Sequence, residues 1–315
     1  MLTYLNPRKP LSPEEKNQLE IYTKGYKGEW KFYELLKEHV HATYIGLFDL
    51  QLELNNNEFQ IDSLLIFQDA VYLIELKNFE GDFLVNGEAW HTIPSKKEVQ
   101  NPLQQLHRKE VLLKDFLRLH GFNWPVKPFL IFINPRFTLY QAPYNQKIVF
   151  PGQIMRFLQM LNQGAGKLIR MHNELKEVLV ERHIVRSRRV RLPEFEFEQL
   201  KKGLFCRFCG GELVEANKSW WGCAVCKEKE SKDDAILRSA YEFHIIFPER
   251  KITVNALYEW CGGMISKRSI QRILLNNLKL NFFGRGTFYT FDEMDHESLL
   301  NLVGWNQRSI SSVRG

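Results

Sequence analysis

Two strand-length apolar segments follow each other along the chain, and both contain charged residues. The segment QIDSLLIF (60–67) contains Asp62, and the segment VYLIELK (71–77) contains Glu75 and Lys77. Charged side chains are rarely buried unless they are paired or bind a metal ion. The sequence therefore predicts a sheet core that contains charged side chains, which are either paired with one another or bound to a metal ion.

A two-residue loop at positions 68–69 would join these segments into an antiparallel hairpin. Residues whose numbers sum to 137 then face each other, so that Asp62 faces Glu75 and Gln60 faces Lys77. Facing residues have Cβ atoms roughly 4.5–5.5 Å apart, and residues two apart on a strand share a face. We expect these four side chains to cluster, although a three-residue loop would shift the register by one.

Two facing carboxylates repel each other unless a cation lies between them. One interpretation is a Mg²⁺ or Mn²⁺ site, in which Asp62 and Glu75 hold the ion. Lys77 would then position an attacking water or help to deprotonate it, and would stabilise the charge that develops at phosphorus. The alternative is a salt bridge from Lys77 to Glu75 or Asp62.

The pattern around this hairpin predicts an α/β fold. Strands that are apolar on both faces are typical of a sheet that helices cover on two sides. The expected elements are a helix around 28–39, strands near 44–54, 59–67 and 70–77, a helix near 101–120, a strand at 128–135 and helices between 152 and 180.

In this order, the motifs KGEWKFYELL, QIDSLLIF, VYLIELKNFEGDF and NPLQQLHRKEVLL resemble the nuclease-related domain, NERD, of the PD-(D/E)xK nuclease superfamily. The resemblance covers roughly residues 22–140 and implies a restriction-endonuclease-like αβββαβ core. It also implies that Glu29 completes the site and that Gln105 supports it, with Gln104 as a nearby competitor. Gln60 departs from the pattern, because relatives can carry an acid there; it would still orient Lys77 or a metal-bound water.

The resemblance implies a Mg²⁺- or Mn²⁺-dependent phosphodiesterase that hydrolyses DNA. The catalytic candidates are Glu29, Asp62, Glu75, Lys77 and Gln105, and the metal ligands are Asp62, Glu75 and the backbone carbonyl of Leu76. The alternative is a nuclease-fold adaptor that binds nucleic acid with weak or no catalysis. Retention of the charges argues against it, since unpaired buried charges cost several kcal/mol. A transcription regulator would leave the charged hairpin unexplained.

Four of the five cysteines form two C-x-x-C pairs, Cys206 with Cys209 and Cys223 with Cys226. In a reducing compartment such pairs favour a metal over disulfides. The pattern resembles a zinc ribbon, and a filled Cys₄ site leaves no open coordination position, so we expect structural Zn²⁺. The ribbon would contact nucleic acid or simply brace the chain. Cys261 is expected to be a small buried hydrophobic residue.

Residues 233–295 have the pattern of three helices followed by a β-hairpin and resemble a winged helix–turn–helix. Lys267, Arg268 and Arg272 lie outside the apolar face of the third helix, and Arg285 lies at the hairpin tip. These four residues are the candidates for nucleic-acid contact. The alternative is a protein-docking module.

These patterns divide the chain into four segments. We expect a NERD-like domain at 1–180, a basic linker at 181–202, a zinc ribbon at 203–230 and a winged-helix-like domain at 231–315. The linker region includes RHIVRSRRVR (182–191), which contains five arginines. We expect these arginines either to lie along the phosphates of a nucleic acid or to form a solvated linker or a charged edge strand.

The composition fits a water-soluble protein. Hydrophobic residues make up 44% and charged residues 25% of the chain, and no stretch approaches the roughly 18 apolar residues of a membrane helix. With no signal-peptide pattern, we expect a cytoplasmic protein that does not bind membranes. The formal net charge of +6 allows a nucleic-acid partner, expected to be DNA, and a helicase or other protein partner is compatible with it.

Overall fold

The computed structural model describes residues 1–164, 166–184, 194–283 and 286–291. The chain divides into two compact units. The first, called the α/β unit here, is Glu20–Leu192, and the second, called the cysteine unit, combines Met1–Leu19 with Pro193–Gly315. None of the helices in the described ranges is long and apolar enough to cross a lipid bilayer.

The elements of both units are numbered in chain order. The helices are α1 (Leu2–Leu5), α2 (Pro13–His39), α3 (Pro102–Leu119), α4 (Ile154–Gln163), α5 (Arg170–Glu181), α6 (Lys232–Ile246), α7 (Val254–Trp260) and α8 (Lys267–Asn277). The strands are β1 (Ile45–Leu54), β2 (Asn57–Ile66), β3 (Val71–Lys77), β4 (Gly81–Asn86), β5 (Ala89–Ile93), β6 (Glu98–Val99), β7 (Val126–Phe132), β8 (Phe137–Tyr140), β9 (Ile148–Val149), β10 (Leu213–Glu215), β11 (Trp220–Cys223), β12 (Lys229–Ser231), β13 (Lys279–Phe283) and β14 (Gly286–Thr290).

The main sheet of the α/β unit has the strand order β1-β2-β3-β7-β9. Strands β1, β2 and β3 are antiparallel, and β7 joins β3 in parallel. Helix α2, these three strands, α3 and β7 follow one another as the expected αβββαβ core, so the prediction of a mixed α/β fold is confirmed. A second sheet of order β6-β5-β4-β8, which the sequence did not predict, lies in the chain between and after these elements.

The central hairpin has the predicted register. The amide of Phe67 donates to the carbonyl of Ala70 at 3.0 Å, which closes the two-residue loop. The pairs run from Ile66 with Val71 to Ser63 with Ile74, and their numbers sum to 137.

Helices cover the two faces of this sheet, and residue alternation decides which face each side chain meets. On β3, Val71 and Leu73 belong to the apolar cluster that contains α3, whereas Ile74 belongs to the cluster that contains Phe32 of α2. Because Glu75 is two residues beyond Leu73, its side chain lies on the α3 face.

The predicted pairing of Gln60 with Lys77 is wrong. Strand β2 pairs with β3 only as far as Ser63 with Ile74, so the predicted partners Asp62 and Glu75 also lie beyond the end of this ladder, and Gln60 pairs with Gln51 of β1. Its Nε2 donates to Oδ1 of Asp49 at 2.6 Å. Asp49 has a φ of 52° and lies where the β1–β2 ladder is interrupted.

The cysteine unit contains the three-stranded sheet β10-β11-β12, helices α6, α7 and α8, and the hairpin β13-β14. The helix, helix, helix, hairpin order is the predicted one. The resemblance to a winged helix stays a prediction.

Buried ion pairs connect the first residues of the chain to this unit. Arg238 of α6 is buried and donates to both carboxylate oxygens of Glu230 at 2.9 and 2.8 Å. Arg8 donates to Oε2 of Glu242 at 2.9 Å, and its guanidinium lies 3.6 Å from the ring centroid of Trp260. The N-terminal segment is therefore part of the core of the cysteine unit.

Candidate functional site

A cluster of charges lies at the end of the β2–β3 hairpin. Glu75 is only 2% exposed, and its Oε1 accepts a hydrogen bond from Nζ of Lys77 at 2.7 Å. Oδ2 of Asp62 accepts a hydrogen bond from the amide of Leu76 at 2.7 Å. The two carboxylates share a third partner, because Nζ of Lys109 contacts Oε2 of Glu75 and lies 3.4 Å from Oδ1 of Asp62.

Helix α3 supplies Lys109 to the cluster. Asn101 is the N-cap of this helix: its side chain accepts a hydrogen bond from the amide of Leu103 at 2.9 Å, and Pro102 follows at the first helical position. Leu106 and Leu113 are buried in the core beneath the sheet. Lys109 lies one turn after Leu106, so its side chain points along the same face toward the acids.

Sequence analysis missed Lys109. Two signals were present: it lies four residues after Gln105, which is the spacing of neighbours on one helix face, and it lies in the quoted motif NPLQQLHRKEVLL. The sequence alone does not show that α3 covers the face of the sheet from which the side chain of Glu75 projects.

A close approach of helix α2 brings Glu29 to the same region. Nδ2 of Asn78, the residue after β3, donates to the carbonyl of Lys24 at 2.7 Å. A Cβ atom on Gly28 would lie 2.8 Å from Cβ of Asn78 and 3.1 Å from Cγ2 of Ile133. Glycine is therefore required at position 28 for the helix to lie this close to the end of β3.

The environment of Glu29 opposes its negative charge. Burial, followed by repulsion from Asp62, Asp49 and Glu75, raises its pKa to about 7, although Lys109 acts in the opposite direction. Glu29 is therefore the carboxyl group of the cluster with the poorest supply of positive charge.

The two central acids differ in their electrostatics. Burial raises the pKa of Asp62, with a further contribution from Glu75, and the attraction of Lys109 only partly opposes it. Burial also acts to raise the pKa of Glu75, but Lys109 and Lys77 outweigh it, so that this pKa is lowered. Burial acts to lower the pKa of Lys109, yet the two carboxylates raise it above its usual value. In this arrangement Lys109 is the cation that the facing carboxylates require.

The remaining predicted residues of the site lie in different places. Nε2 of Gln105 donates to Oε1 of Gln100 at 2.6 Å, and its own Oε1 is buried without a hydrogen-bond partner in the described chain. The exposed Gln104 bonds Glu88 at 3.2 Å instead. The contact of Leu76 with Asp62 uses the amide, and the role of its carbonyl as a metal ligand stays a prediction.

The charged cluster fits a hard divalent cation through two carboxylates. Asp62 and Glu75 lie close enough to contact one ammonium group, and carboxylate oxygens are the ligands that Mg²⁺ and Mn²⁺ prefer. The carboxylate of Glu29 does not join those of Asp62 and Glu75 in a set of three whose oxygens all lie within 4.8 Å of one another. Within the described ranges, the cysteines are the only three or more His, Cys, Asp or Glu residues whose donor atoms all lie within 4.8 Å of one another.

The four predicted cysteines form that second site. Their Sγ atoms lie within 4.8 Å of one another; those of Cys206 and Cys226 are 3.6 Å apart, and those of Cys209 and Cys223 are 3.4 Å apart. These distances exceed the roughly 2.05 Å of a disulfide bond and suit four thiolates around one Zn²⁺.

The thiols of this site differ: burial raises the pKa of Cys206 to about 12 and also raises that of Cys226, whereas the pKa of Cys223 is lowered. Burial acts to raise the pKa of Cys223, but hydrogen bonds from the amides of Cys226 and Val225 contribute to lowering it to about 7. Gly210 has a φ of 71°, a conformation that favours glycine, and it forms the turn after the first cysteine pair. Cys261 is fully buried, as expected, and burial raises its pKa to about 12.

The predicted nucleic-acid contacts are only partly free. Lys267 and Arg268 are exposed at the start of α8, whereas Arg272 donates to both carboxylate oxygens of Asp233 at 2.8 and 3.0 Å. Arg285 lies outside the described residues, as does the linker sequence from position 185 to 193.

The adjacent tryptophans of β11 differ in exposure. Trp221 is 3% exposed and packs in the core, whereas Trp220 is 44% exposed. Only Trp220 is therefore available to a partner.

The order of helices and strands in the α/β unit is the one expected of a nuclease-related domain. The family model of the nuclease-related domain, NERD, matches residues 24–133, so the chain contains a domain of this family there. This range includes every catalytic candidate as well as Lys109. Comparisons with curated proteins and with solved structures gave no significant match.

The raised pKa of Glu29 leads to a prediction about pH and stability. In the metal-free α/β unit, the folded pKa of about 7 exceeds the ordinary 4.5, so the wild type loses stability as the pH rises through this interval. Glu29→Gln carries no charge and should be close to wild type near pH 4.5, but more stable at pH 8 by up to about 3 kcal/mol.

Denaturant unfolding at several pH values in buffer free of Mg²⁺ and Mn²⁺ measures this difference. Glu34→Gln, at an exposed position of the same helix, is the matched control. A stability gain for Glu29→Gln that does not change with pH would contradict the assigned environment.

The cysteine cluster leads to a prediction about metal content. We expect about one Zn²⁺ per chain, and Cys209→Ser should lose most of it because three thiolates leave the tetrahedral site incomplete. Cys261→Ala, which removes the thiol outside the cluster, should retain it. Elemental analysis of the purified proteins checks both outcomes, and equal zinc in all three would show that the cluster does not bind the metal.

Proposed function

We propose that the α/β unit hydrolyses phosphodiester bonds of DNA with the help of Mg²⁺ or Mn²⁺. The observation that carries this proposal is the pair Asp62 and Glu75, whose side chains are 11% and 3% exposed and whose carboxylates are close enough to share one cation. In a domain of the nuclease-related family, such a pair at the end of a central strand is best explained as a binding site for a divalent ion.

Asp62 and Glu75 would hold the ion, with the carbonyl of Leu76 as a further ligand. When bound, the ion would supply positive charge for the phosphate oxygens and lower the pKa of a water molecule. The amide of Leu76 already fixes the orientation of Asp62.

Lys77 is held by Glu75 but keeps further N–H donors, and its side chain is 19% exposed. It would orient the attacking water and stabilise the negative charge that develops on the phosphate oxygens. Burial and the neighbouring acids raise the pKa of Glu29 in the metal-free cluster, and with the ion bound beside it Glu29 would accept the proton of this water. The water oxygen forms the new bond to phosphorus, the phosphodiester P–O bond breaks, and the leaving oxygen takes up a proton.

Gln105 would contribute through its buried Oε1, which has no hydrogen-bond partner within the described chain. Buried acceptors are normally satisfied. A bound water or a substrate hydroxyl in this position would therefore satisfy it and be oriented by it.

The second candidate function is an adaptor that uses the nuclease fold to bind nucleic acid with weak or no catalysis. The observation that favours it is Lys109, because its ammonium occupies the position between the acids that a metal ion would need.

The cysteine unit would bind or orient DNA in either case. Lys267 and Arg268 of α8 are exposed, and their cationic groups would pair with phosphates. Arg272 would have to leave Asp233 to do the same. The proposed cytoplasmic location and a helicase or other protein partner fit this function.

Cleavage of supercoiled plasmid and single-stranded DNA tests the catalytic proposal. With Mg²⁺ or Mn²⁺ the wild type should cut, while Asp62→Ala and Lys77→Ala should be at least ~100-fold slower, since the first removes a ligand of the ion and the second removes the ammonium that acts at the reacting phosphate. Glu34→Gln is the control and should cut as the wild type does.

Loss of cutting in both variants, with their folding unchanged by circular dichroism, supports the nuclease. DNA binding without cutting in all proteins supports the adaptor. Cutting that survives both substitutions would contradict the proposed site.

Salt-dependent binding tests the role of α8. The double variant Lys267→Ala/Arg268→Ala should weaken binding to a DNA duplex, and its plot of log K against log salt should be less steep by about 2, since each lost phosphate contact removes about one unit. Arg272→Ala should have a smaller effect because Asp233 already neutralises this arginine. Unchanged affinity and slope in the double variant would exclude α8 as the contact.

A further inference from the structure

The position of Lys109 has a consequence for the metal site, and the inference drawn from it rests on the proposed function. Its ammonium contacts Oε2 of Glu75 and lies 3.4 Å from Oδ1 of Asp62. Lys77 differs, because its ion pair within the described residues is with Glu75. Of the two lysines, Lys109 therefore occupies the place between the carboxylates.

A divalent ion bound to the same two carboxylates could not coexist with the ammonium in that place. Mg²⁺ binds carboxylate oxygens at roughly 2.0–2.1 Å, which would bring it into the space that the ammonium fills. The two cations would also repel each other strongly in a site as dry as this one. Binding of the metal therefore requires Lys109 to move.

The side chain of Lys109 can move more easily than helix α3, which carries it. Leu106 and Leu113 fix α3 in the core, and Asn101 caps its first turn. The lysine side chain has four flexible carbons, and 18% of it is exposed. A rotation of this side chain toward solvent is sufficient to clear the site.

We propose that Lys109 is a resident counter-ion: it holds Asp62 and Glu75 in place without metal, and a divalent ion binds only by displacing it. The lysine thus sets the metal affinity of the site and keeps it assembled when the metal is scarce. The displaced ammonium, released beside the mouth of the site, is then free to pair with an anionic phosphate of the substrate.

Metal binding without catalysis tests this proposal. Mn²⁺ binding is measured on the full chain with Zn²⁺ retained in the cysteine cluster, by counting free Mn²⁺ with electron paramagnetic resonance. Lys109→Met should bind Mn²⁺ at least tenfold more tightly than the wild type. Lys114→Met is the matched control, because Lys114 lies on the same helix and pairs with Glu110 at 2.6 Å, outside the cluster; its affinity should stay within twofold of wild type.

Asp62→Asn separates the failure of this inference from failure of the proposed function. If Asp62→Asn abolishes Mn²⁺ binding while Lys109→Met binds as the wild type does or more weakly, the metal site stands and the role of Lys109 is overturned. If wild type and Lys109→Met both fail to bind Mn²⁺, the metal site and the proposal fall together. A wild type that binds only weakly beside a tightly binding Lys109→Met supports the displacement.

A second measurement uses the wild-type chain and does not depend on the folding of a variant. Brief treatment with an acylating reagent, followed by peptide mass spectrometry, reports the reactivity of each lysine. Lys109 should be protected without Mn²⁺ and should react several-fold faster at saturating Mn²⁺, while Lys114 should not change. Lys109 that stays protected in the Mn²⁺-saturated protein would overturn the proposal.

Discussion

Repulsion between the buried carboxylate of Glu75 and the partly buried carboxylate of Asp62 is the constraint on which the charged cluster of the α/β unit depends. Three groups offset this repulsion by donating hydrogen bonds to the carboxylates: the amide of Leu76, the ammonium of Lys77 and the ammonium of Lys109. They come from a strand and from a helix that packs on one face of the sheet, so the site exists only when strand pairing and helix packing are both complete. Loss of one partner of a buried ion pair typically costs about 3–5 kcal/mol, and this couples the charged cluster to the stability of the fold.

The same cluster shows how a folded core can hold an incompletely neutralised group. Glu29 lies beside the other acids because Gly28 lets α2 approach Asn78, and this crowding raises its pKa to about 7. On helix α3, the buried Oε1 of Gln105 lacks a hydrogen-bond partner in the described chain. An unsatisfied acceptor and a carboxyl group that resists ionisation are features that packing alone would not favour, and they fit a site whose remaining interactions come from bound partners.

Sequence reasoning worked where periodicity is local. The alternation and the two-residue loop were sufficient for the register from Ser63 to Ile66, and the spacing of the cysteines was sufficient for their cluster. It failed where the answer depended on long-range packing: Gln60 turned to Asp49 because β2 leaves β3 earlier than the pattern implies. Lys109 was missed because no local pattern states which helix will cover the face that carries Glu75. The roles of the named catalytic residues are a separate matter, and the binding and cleavage measurements decide them.

The ion pair between Arg8 and Glu242 joins residues that are 234 positions apart. During synthesis, residues 1–19 leave the ribosome before α6 and α7 have been translated. Arg8 therefore has neither Glu242 nor Trp260 to pack against while the α/β unit is being made. The cysteine unit can therefore complete its core only after α6 and α7 have been synthesised. A protein made without its first residues would lose a buried partner of Glu242, at a site far along the chain from the deletion.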